Sequence, residues 1–139
     1  MAAVETPAPQ FGPAALAAGL RALGYDVNDA STPATLQGHQ LLRIQYRIRF
    51  GTHAGETCTI AFIAPPDFPA SSPAGVYVHP SLRPLNQNST LPHGGVTDAS
   101  HIFGEQGWQY WSRPHDSWAQ SERNAKAWMA HVHRLFIHV

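Results

Sequence analysis

Histidine and cysteine are the residue types in this chain that are best suited to catalysis or metal binding. The 139 residues include nine histidines and a single cysteine, Cys58. A histidine can carry a proton to or from a reacting group near neutral pH. His93, Asp98 and His101 lie close together in the sequence and could meet a metal ion, but their spacing matches no strong metal-binding signature. We therefore assign no metal ligands and no cofactor, and a histidine-based metal-binding domain is kept as an alternative.

The single cysteine lies in a segment with the pattern of a strand. Larger apolar side chains alternate with threonine or alanine over residues 57–62, so one set faces a core and the other faces out. Cys58 shares the inward side with Ile60 and Phe62. A reactive cysteine needs an exposed, electropositive setting, so we expect an inert thiol that packs as a small hydrophobic group. One cysteine also excludes an internal disulfide and a cysteine-based zinc site.

A proline-rich bend follows this strand. Prolines cannot donate to a sheet ladder and they hold the preceding residue extended, so their spacing predicts a rigid extended crossover. The chain then forms a short strand at residues 75–78 that ends on His79-Pro80, and Phe68 is expected to wedge in the bend. The prolines of the bend are Pro65, Pro66, Pro69 and Pro73.

The clearest strand covers residues 42–50, where apolar and polar side chains alternate. This pattern is typical of an antiparallel sheet with one buried and one solvated side. Residues 51–56 then close a hairpin onto the strand of Cys58. The polar row is interpreted either as a partner surface or as a solvated sheet face. The apolar row is Leu42, Ile44, Tyr46, Ile48 and Phe50, and the polar row is Arg43, Gln45, Arg47 and Arg49.

A first helix is predicted near the amino terminus, after a disordered tail at residues 1–10. It begins at Gly12 and the proline that follows. Leu16, Leu20 and Leu23 recur along it at helical spacing, and Gly24 suits its left-handed end. Its many alanines make the second face small, which is explained by helix propensity, with close approach to a neighbour as the alternative.

A second helix is predicted at the carboxyl end of the chain. Its apolar residues recur at helical spacing and are expected to pack in the core. Ser121, or the nearby Asp116 or Ser117, can cap its beginning. The apolar stripe is Trp128, Met129, Val132, Leu135 and Phe136.

The stretch between the last predicted strand and this helix has no periodicity over residues 81–107. An irregular segment of that length is either functional or evidence against the assignment. Trp108, Trp111 and Trp118 follow it closely, and such a bulky cluster should cover something apolar.

These elements predict an α+β fold. Its parts are an N-terminal helix, an antiparallel meander of about three to four strands, a long irregular segment and a C-terminal helix packed on one face of the sheet. We expect one domain over residues 11–139 after the tail. The formal net charge of zero argues against nucleic-acid binding. With no long apolar run and no signal peptide, we expect a soluble cytoplasmic protein with no membrane contact.

The order of elements and the residues in the middle of the chain resemble the ubiquitin-conjugating enzyme (UBC) superfamily. Residues 66–69 (Pro-Asp-Phe-Pro), 72–73 (Ser-Pro) and 76–78 (Val-Tyr-Val) are similar to the bend and fourth strand of that family. His79-Pro80-Ser81 stands where the family has His-Pro-Asn, and residues 108–118 stand where it has a tryptophan-bearing segment. Residues 108–114 and the ending at 133–136 resemble a divergent bacterial branch. The resemblance covers about residues 11–139.

Two departures from the family pattern concern its chemistry. A conjugating enzyme carries its modifier as a thioester on a cysteine beyond the His-Pro-Asn sequence, and this chain has no cysteine after Cys58. The asparagine that supports the oxyanion is replaced by Ser81, whose hydroxyl can donate one hydrogen bond but is shorter than an amide. Thioester conjugation is therefore not expected, although whether the protein is an enzyme stays open.

The resemblance implies two partners, a ubiquitin-like modifier protein and an activating-enzyme-like protein. We expect a noncysteine adaptor that binds one or both of them. The alternatives are an atypical conjugating enzyme that uses a non-standard residue and the metal-binding domain mentioned above. Candidate catalytic residues are His79, Ser81, His93, Asp98 and His101, and candidate binding residues are Arg43, Arg47, Arg49, Trp108 and Trp111.

Overall fold

The structure of the protein is a computed structural model that describes residues 11–28, 40–49, 51–82 and 95–137. The tail predicted at residues 1–10, Phe50 of the apolar row and the catalytic candidate His93 lie outside these ranges. No helix in the described ranges is long and apolar enough to cross a membrane.

The described chain forms a helix, a six-stranded antiparallel sheet and a second long helix, so the predicted α+β class is confirmed. The strand order is β1-β2-β3-β4-β6-β5, and every neighbouring pair is antiparallel. In chain order the elements are α1 (Gly12–Ala22), β1 (Val27–Asn28), β2 (Gln40–Arg47), β3 (Thr57–Ala64), β4 (Val76–His79), β5 (Val96–Asp98), α2 (Ser100–Phe103), β6 (Gln109–Trp111) and α3 (Ala125–Ile137), with a 3₁₀ turn at Trp118–Gln120 before α3.

The segment predicted to be irregular contains regular structure in its described part. β5 and α2 lie within residues 95–107, and β6 follows directly. β6 pairs with β4 on one side and with β5 on the other, so the sheet extends beyond the meander that we expected. Strands of three residues and a helix of four are too short to show a period in the sequence.

The hairpin of β2 and β3 has the register that the alternating pattern predicts. Ile44 lies opposite Ile60 and Tyr46 lies opposite Cys58, and all four side chains are buried on one face. The hairpin closes beyond the strands, where the Ile48 amide donates to the Glu56 carbonyl at 2.9 Å. Paired residues share a face, so these two strands divide the molecule into an inner side and an outer side.

Both long helices pack on the inner side. Their buried residues, including Leu16 and Leu20 of α1 and Trp128 of α3, belong to one hydrophobic cluster with the inward residues of the strands. Burying side chains of this size contributes about 1.5–3 kcal/mol each. The predicted α3 stripe is confirmed as core, but Leu23 is 44% exposed because α1 ends before it.

The two ends of the helices follow local rules of capping. Gly24 has a φ of +96°, the Gly24 amide donates to the Arg21 carbonyl and the Tyr25 amide donates to the Leu20 carbonyl, which is a Schellman ending. At the start of α3, Asn124 Oδ1 accepts from the Ala127 amide at 2.8 Å. Asn124 therefore caps α3, and the proposed caps Ser121, Asp116 and Ser117 were wrong because the helix begins later than we expected.

A second hydrophobic cluster covers part of the outer side, which corrects the expectation of one fully solvated sheet face. Phe103 of α2 and Trp108 lie against outward residues of the sheet there. The cluster contains Leu41, Ala61, Tyr77, Ala99 and Trp108, with Ile63, Phe103 and Tyr110 packed against it. The sheet therefore carries apolar packing on both sides.

The proline-rich bend is held by backbone and indole hydrogen bonds. Phe68 is buried against Trp118, with ring centroids 5.9 Å apart, and Trp118 Nε1 donates to the Pro69 carbonyl at 2.8 Å. The Gly12 amide donates to the Phe68 carbonyl at 2.8 Å. The peptide bonds Phe68–Pro69 and His79–Pro80 are cis. The bend therefore connects α1, β3 and the 3₁₀ turn.

The contact between α1 and α3 gives a first testable expectation. A Cβ atom at Gly19 would lie 2.6 Å from the Cβ of Ala125, so the two helices approach closely at this point. We expect Gly19→Ala to lower the free energy of unfolding by about 1–3 kcal/mol through overpacking. Combining it with Ala125→Gly should restore most of that loss, as measured by urea denaturation of all four chains.

Helix propensity alone predicts the opposite sign for the single change. Alanine is favoured over glycine inside a helix by about 0.8–1.0 kcal/mol, so Gly19→Ala would then stabilise the protein. A stabilised single variant would contradict the close approach, and a double variant no better than the single one would contradict the role of Ala125.

Candidate functional site

The His79–Pro80 corner lies at the end of β4, on the outer side of the sheet. His79 pairs with Thr59, and its ring packs on Trp108 with ring centroids 5.1 Å apart. Nε2 of His79 lies 3.1 Å from the Gln106 carbonyl and 3.6 Å from Oε1 of Glu105. Because a carbonyl can only accept, Nε2 carries the proton and donates it there.

Ser81 fastens the corner to the chain that runs from α2 to β6. Its hydroxyl donates to the Gly107 carbonyl at 2.9 Å. The Gly107 amide donates to Oγ of Ser100 at 3.2 Å, and that hydroxyl donates to Oδ1 of Asp98 at 2.8 Å. A serine has one proton to donate, and Ser81 directs it into this network and not toward a reacting oxygen.

The structure therefore brings three of the catalytic candidates to one place. His79, Ser81 and Asp98 are all joined, directly or through Ser100, to residues 106–107. His101 lies on α2 and is exposed. No group of three or more histidine, cysteine, aspartate or glutamate side chains in the described ranges is arranged to hold a metal ion.

Gln109 is a site residue that the sequence reasoning missed. Its side chain is 3% exposed, and its Oε1 accepts from the Leu82 amide at 3.1 Å and from Nε1 of Trp111 at 3.3 Å. Gln109 thereby fixes the chain just after the His-Pro-Ser corner. The available signal was a polar residue between Trp108 and Tyr110 in the sequence, since burial of an amide requires hydrogen-bond partners.

The two tryptophans proposed for binding lie on opposite sides of the sheet. Trp108 stacks on Phe103 with ring centroids 3.8 Å apart and donates from Nε1 to Glu105 at 2.7 Å. Trp111 lies on the inner side against Phe136. Each tryptophan is 1% exposed, so neither presents a contact surface.

The arginines proposed for binding also differ in position. The guanidinium of Arg43 lies over the rings of Phe103 and Trp108, at 5.2 and 5.3 Å from their centroids, which is a cation–π arrangement. Arg47 is exposed at the end of β2, opposite Thr57.

Arg49 lies beyond the strand and lines a groove on the inner side with Tyr25 and His133. The predicted single row is therefore wrong for Arg49, because alternation stops where β2 ends at Arg47.

The Cys58 thiol is buried, as we expected from its side of β3. The residue is 4% exposed. Burial first and the negative charge of Glu56 second raise the pKa of the thiol to about 12. A thiol with such a pKa is almost entirely protonated at neutral pH, and the nucleophilic form is the thiolate.

Comparison with known proteins agrees with this arrangement of elements. The family model described as prokaryotic E2 family E matches residues 27–137, from β1 to the end of α3. Searches of curated proteins and of solved structures returned no significant match. The matched range covers most of the chain and includes the His79–Pro80 corner, β6 and α3. The chain therefore belongs to prokaryotic E2 family E, a family of bacterial proteins related to ubiquitin-conjugating enzymes.

Proposed function

We propose that this protein acts in the cytoplasm, in a ubiquitin-like modifier pathway, as an adaptor that binds the modifier protein, its activating enzyme, or both. The observation that carries the proposal is the position of the only cysteine. Thioester formation needs a thiolate that can reach the activated carboxyl group, and Cys58 is buried inside the sheet with its pKa raised to about 12.

The outer side of the β2–β3 hairpin supplies the surface that we assign to binding of the modifier protein or its activating enzyme. Arg47 and Thr57 are exposed there as a pair. Beside them, Nε2 of Gln45 donates to Oγ1 of Thr59 at 3.0 Å. This hydrogen bond holds the side chains of Gln45 and Thr59 in place next to Arg47. Arg43 is packed on the rings of the outer cluster, which leaves Arg47 as the accessible arginine of the predicted row.

Atypical conjugation by a non-standard residue has less support from the geometry. Nε2 of His79 and the hydroxyl of Ser81 both donate to carbonyl groups of residues 106–107. A histidine can transfer a proton at neutral pH, but it does not hold a stable acyl group. This alternative is separated from the adaptor by whether a covalent adduct forms.

Charge reversal at Arg47 tests the proposed surface. We expect Arg47→Glu to weaken binding of the candidate modifier or activating enzyme at least tenfold, which corresponds to about 1.4 kcal/mol. Cys58→Ala should leave the affinity unchanged. Isothermal titration calorimetry measures both, and Arg134→Glu, which makes the same charge change on an exposed position of α3, is the matched control.

Three results would contradict the adaptor. Equal loss of affinity in Arg47→Glu and Arg134→Glu would show a general charge effect and no defined surface. A modifier adduct on a denaturing gel, formed with activating enzyme and ATP and lost in Cys58→Ala, would show thioester chemistry. An adduct that persists in Cys58→Ala would instead favour the non-standard residue.

A further inference from the structure

A groove on the inner side of the molecule is separate from the Arg47 surface. It lies between the end of α1, the chain just after β2, and α3, and its volume is about 290 Å³. We call it the basic groove and define it by its lining residues. They are Leu23, Tyr25, Arg49, Lys126, Met129, Ala130 and His133.

The lining of the basic groove is cationic although the whole chain is neutral. Arg49 and Lys126 are exposed side chains at two of its walls, and no aspartate or glutamate is among the described residues that line it. The pKa of His133 lies below its ordinary value, first because the ring is buried and second because the positive charge of Arg49 is near. The overall formal charge is zero, so this concentration of positive charge is local.

His133 is engaged in the wall of the groove. Its Nδ1 lies 2.6 Å from the hydroxyl of Tyr46, and the rings are stacked with centroids 5.5 Å apart. Because the pKa of His133 lies below its ordinary value of 6.5, the imidazole is mostly uncharged at pH 7. The free cationic character of the groove therefore comes from Arg49 and Lys126.

The α3 side of the groove is a continuous stripe in which apolar side chains alternate with Lys126 and His133. Lys126, Met129, Ala130 and His133 are spaced by three, one and three residues on α3, so they form one stripe along the helix. Leu23 faces this stripe from the turn after α1 and is 44% exposed. The Schellman ending of α1 places Leu23 and Tyr25 at this wall.

We infer that the basic groove binds an acidic segment of a partner protein, with a carboxylate between Arg49 and Lys126 and an adjacent apolar side chain against Leu23 and Ala130. Charge complementarity selects a carboxylate. The volume is at the lower limit of small-molecule sites, which hold about 300–1,000 Å³, and suits one or two side chains of a peptide. Two cations are too few for the phosphate contacts of a nucleic acid.

A peptide selection followed by direct binding tests this inference. A random peptide library displayed on phage is selected against the wild-type protein, and the strongest clone is made as a fluorescein-labelled peptide. We expect the selected peptides to be enriched in aspartate or glutamate next to leucine, isoleucine or phenylalanine. In fluorescence anisotropy, Arg49→Glu and Lys126→Glu should each lower the affinity for the labelled peptide at least tenfold. Arg49→Gln should lower this affinity less than Arg49→Glu does.

The matched control is Arg123→Glu, which makes the same charge change at an exposed position that does not line the groove. It should change the affinity less than twofold, and circular dichroism melting curves check that all variants fold. Selection without acidic enrichment would overturn the inference, as would equal binding of a peptide whose carboxylates are replaced by amides. Full competition by inorganic phosphate would show a site for small anions and would also overturn it.

This experiment is independent of the proposed adaptor function. The adaptor is tested by Arg47→Glu with modifier and activating enzyme, whereas the groove is tested by Arg49→Glu with a selected peptide. Loss of one result leaves the other standing, because the two arginines lie on opposite sides of the sheet.

Discussion

Labelling of Cys58 by a thiol reagent is expected to be at least a thousandfold slower in the folded protein than in the unfolded chain at pH 7. A rise of the thiol pKa from its ordinary value of 9.0 to about 12 lowers the thiolate fraction about a thousandfold at this pH. Burial of the sulfur at 4% residue exposure slows the reaction further. The measurement is the rate of modification in buffer and in denaturing urea.

Moving the thiol by one residue provides the control for this result. Thr57 neighbours Cys58 on β3, but it is exposed on the outer side. A chain carrying Thr57→Cys and Cys58→Ala should therefore react within about tenfold of its unfolded form, because an exposed thiol keeps a pKa near 8.5. Fast labelling of the wild-type protein in its folded state would contradict both the burial of Cys58 and the adaptor proposal that depends on it.

Gly75→Ala is expected to be the most destabilising single methyl addition in the β4–β6 region. A Cβ atom there would collide with the backbone carbonyl of Trp111 and would lie 2.8 Å from the hydroxyl of Tyr110. A backbone carbonyl in a sheet cannot rotate away, so β4 and β6 would have to separate. We expect a loss of about 2–4 kcal/mol in the free energy of unfolding, measured by urea denaturation.

Gly104→Ala separates this collision from the ordinary cost of replacing a glycine. Gly104 has a φ of +63°, and a Cβ atom there would meet nothing within 4 Å, so its loss should be about 1–2 kcal/mol from backbone conformation alone. At Gly75 a side chain is excluded by the close approach of the Trp111 carbonyl and not by the backbone conformation. A Gly75→Ala variant that unfolds within about 0.5 kcal/mol of the wild type would show that β6 does not pack as described.

The parts of the fold that sequence reasoning predicted are those with a sustained period. Four or more alternating residues identified β2 and β3, and a helical stripe identified α3, because burial of one face imposes these periods. β5, β6 and α2 are short, so no period could develop. β6 is positioned by pairing with β4, and β5 by pairing with β6. The pairing of β6 with β4 is a long-range contact that no local pattern encodes.

The candidate site was predicted in part for the same reason. His79 and Ser81 were identified from the resemblance, and the structure joins them to residues 106–107. The opposite positions of Trp108 and Trp111 follow from their odd separation in an extended chain, but this inference requires that β6 be recognised first. Arg49 was assigned to the row of Arg47, since the sequence contains no sign that alternation stops at the strand end.

The end of β2 places two arginines, two residues apart, in different environments. Arg47 lies on the outer side and Arg49 lines the inner groove, so substitutions at these positions change different environments. On the two proposals above, one protein bound at the Arg47 surface leaves the basic groove open to a second protein on the other side of the sheet.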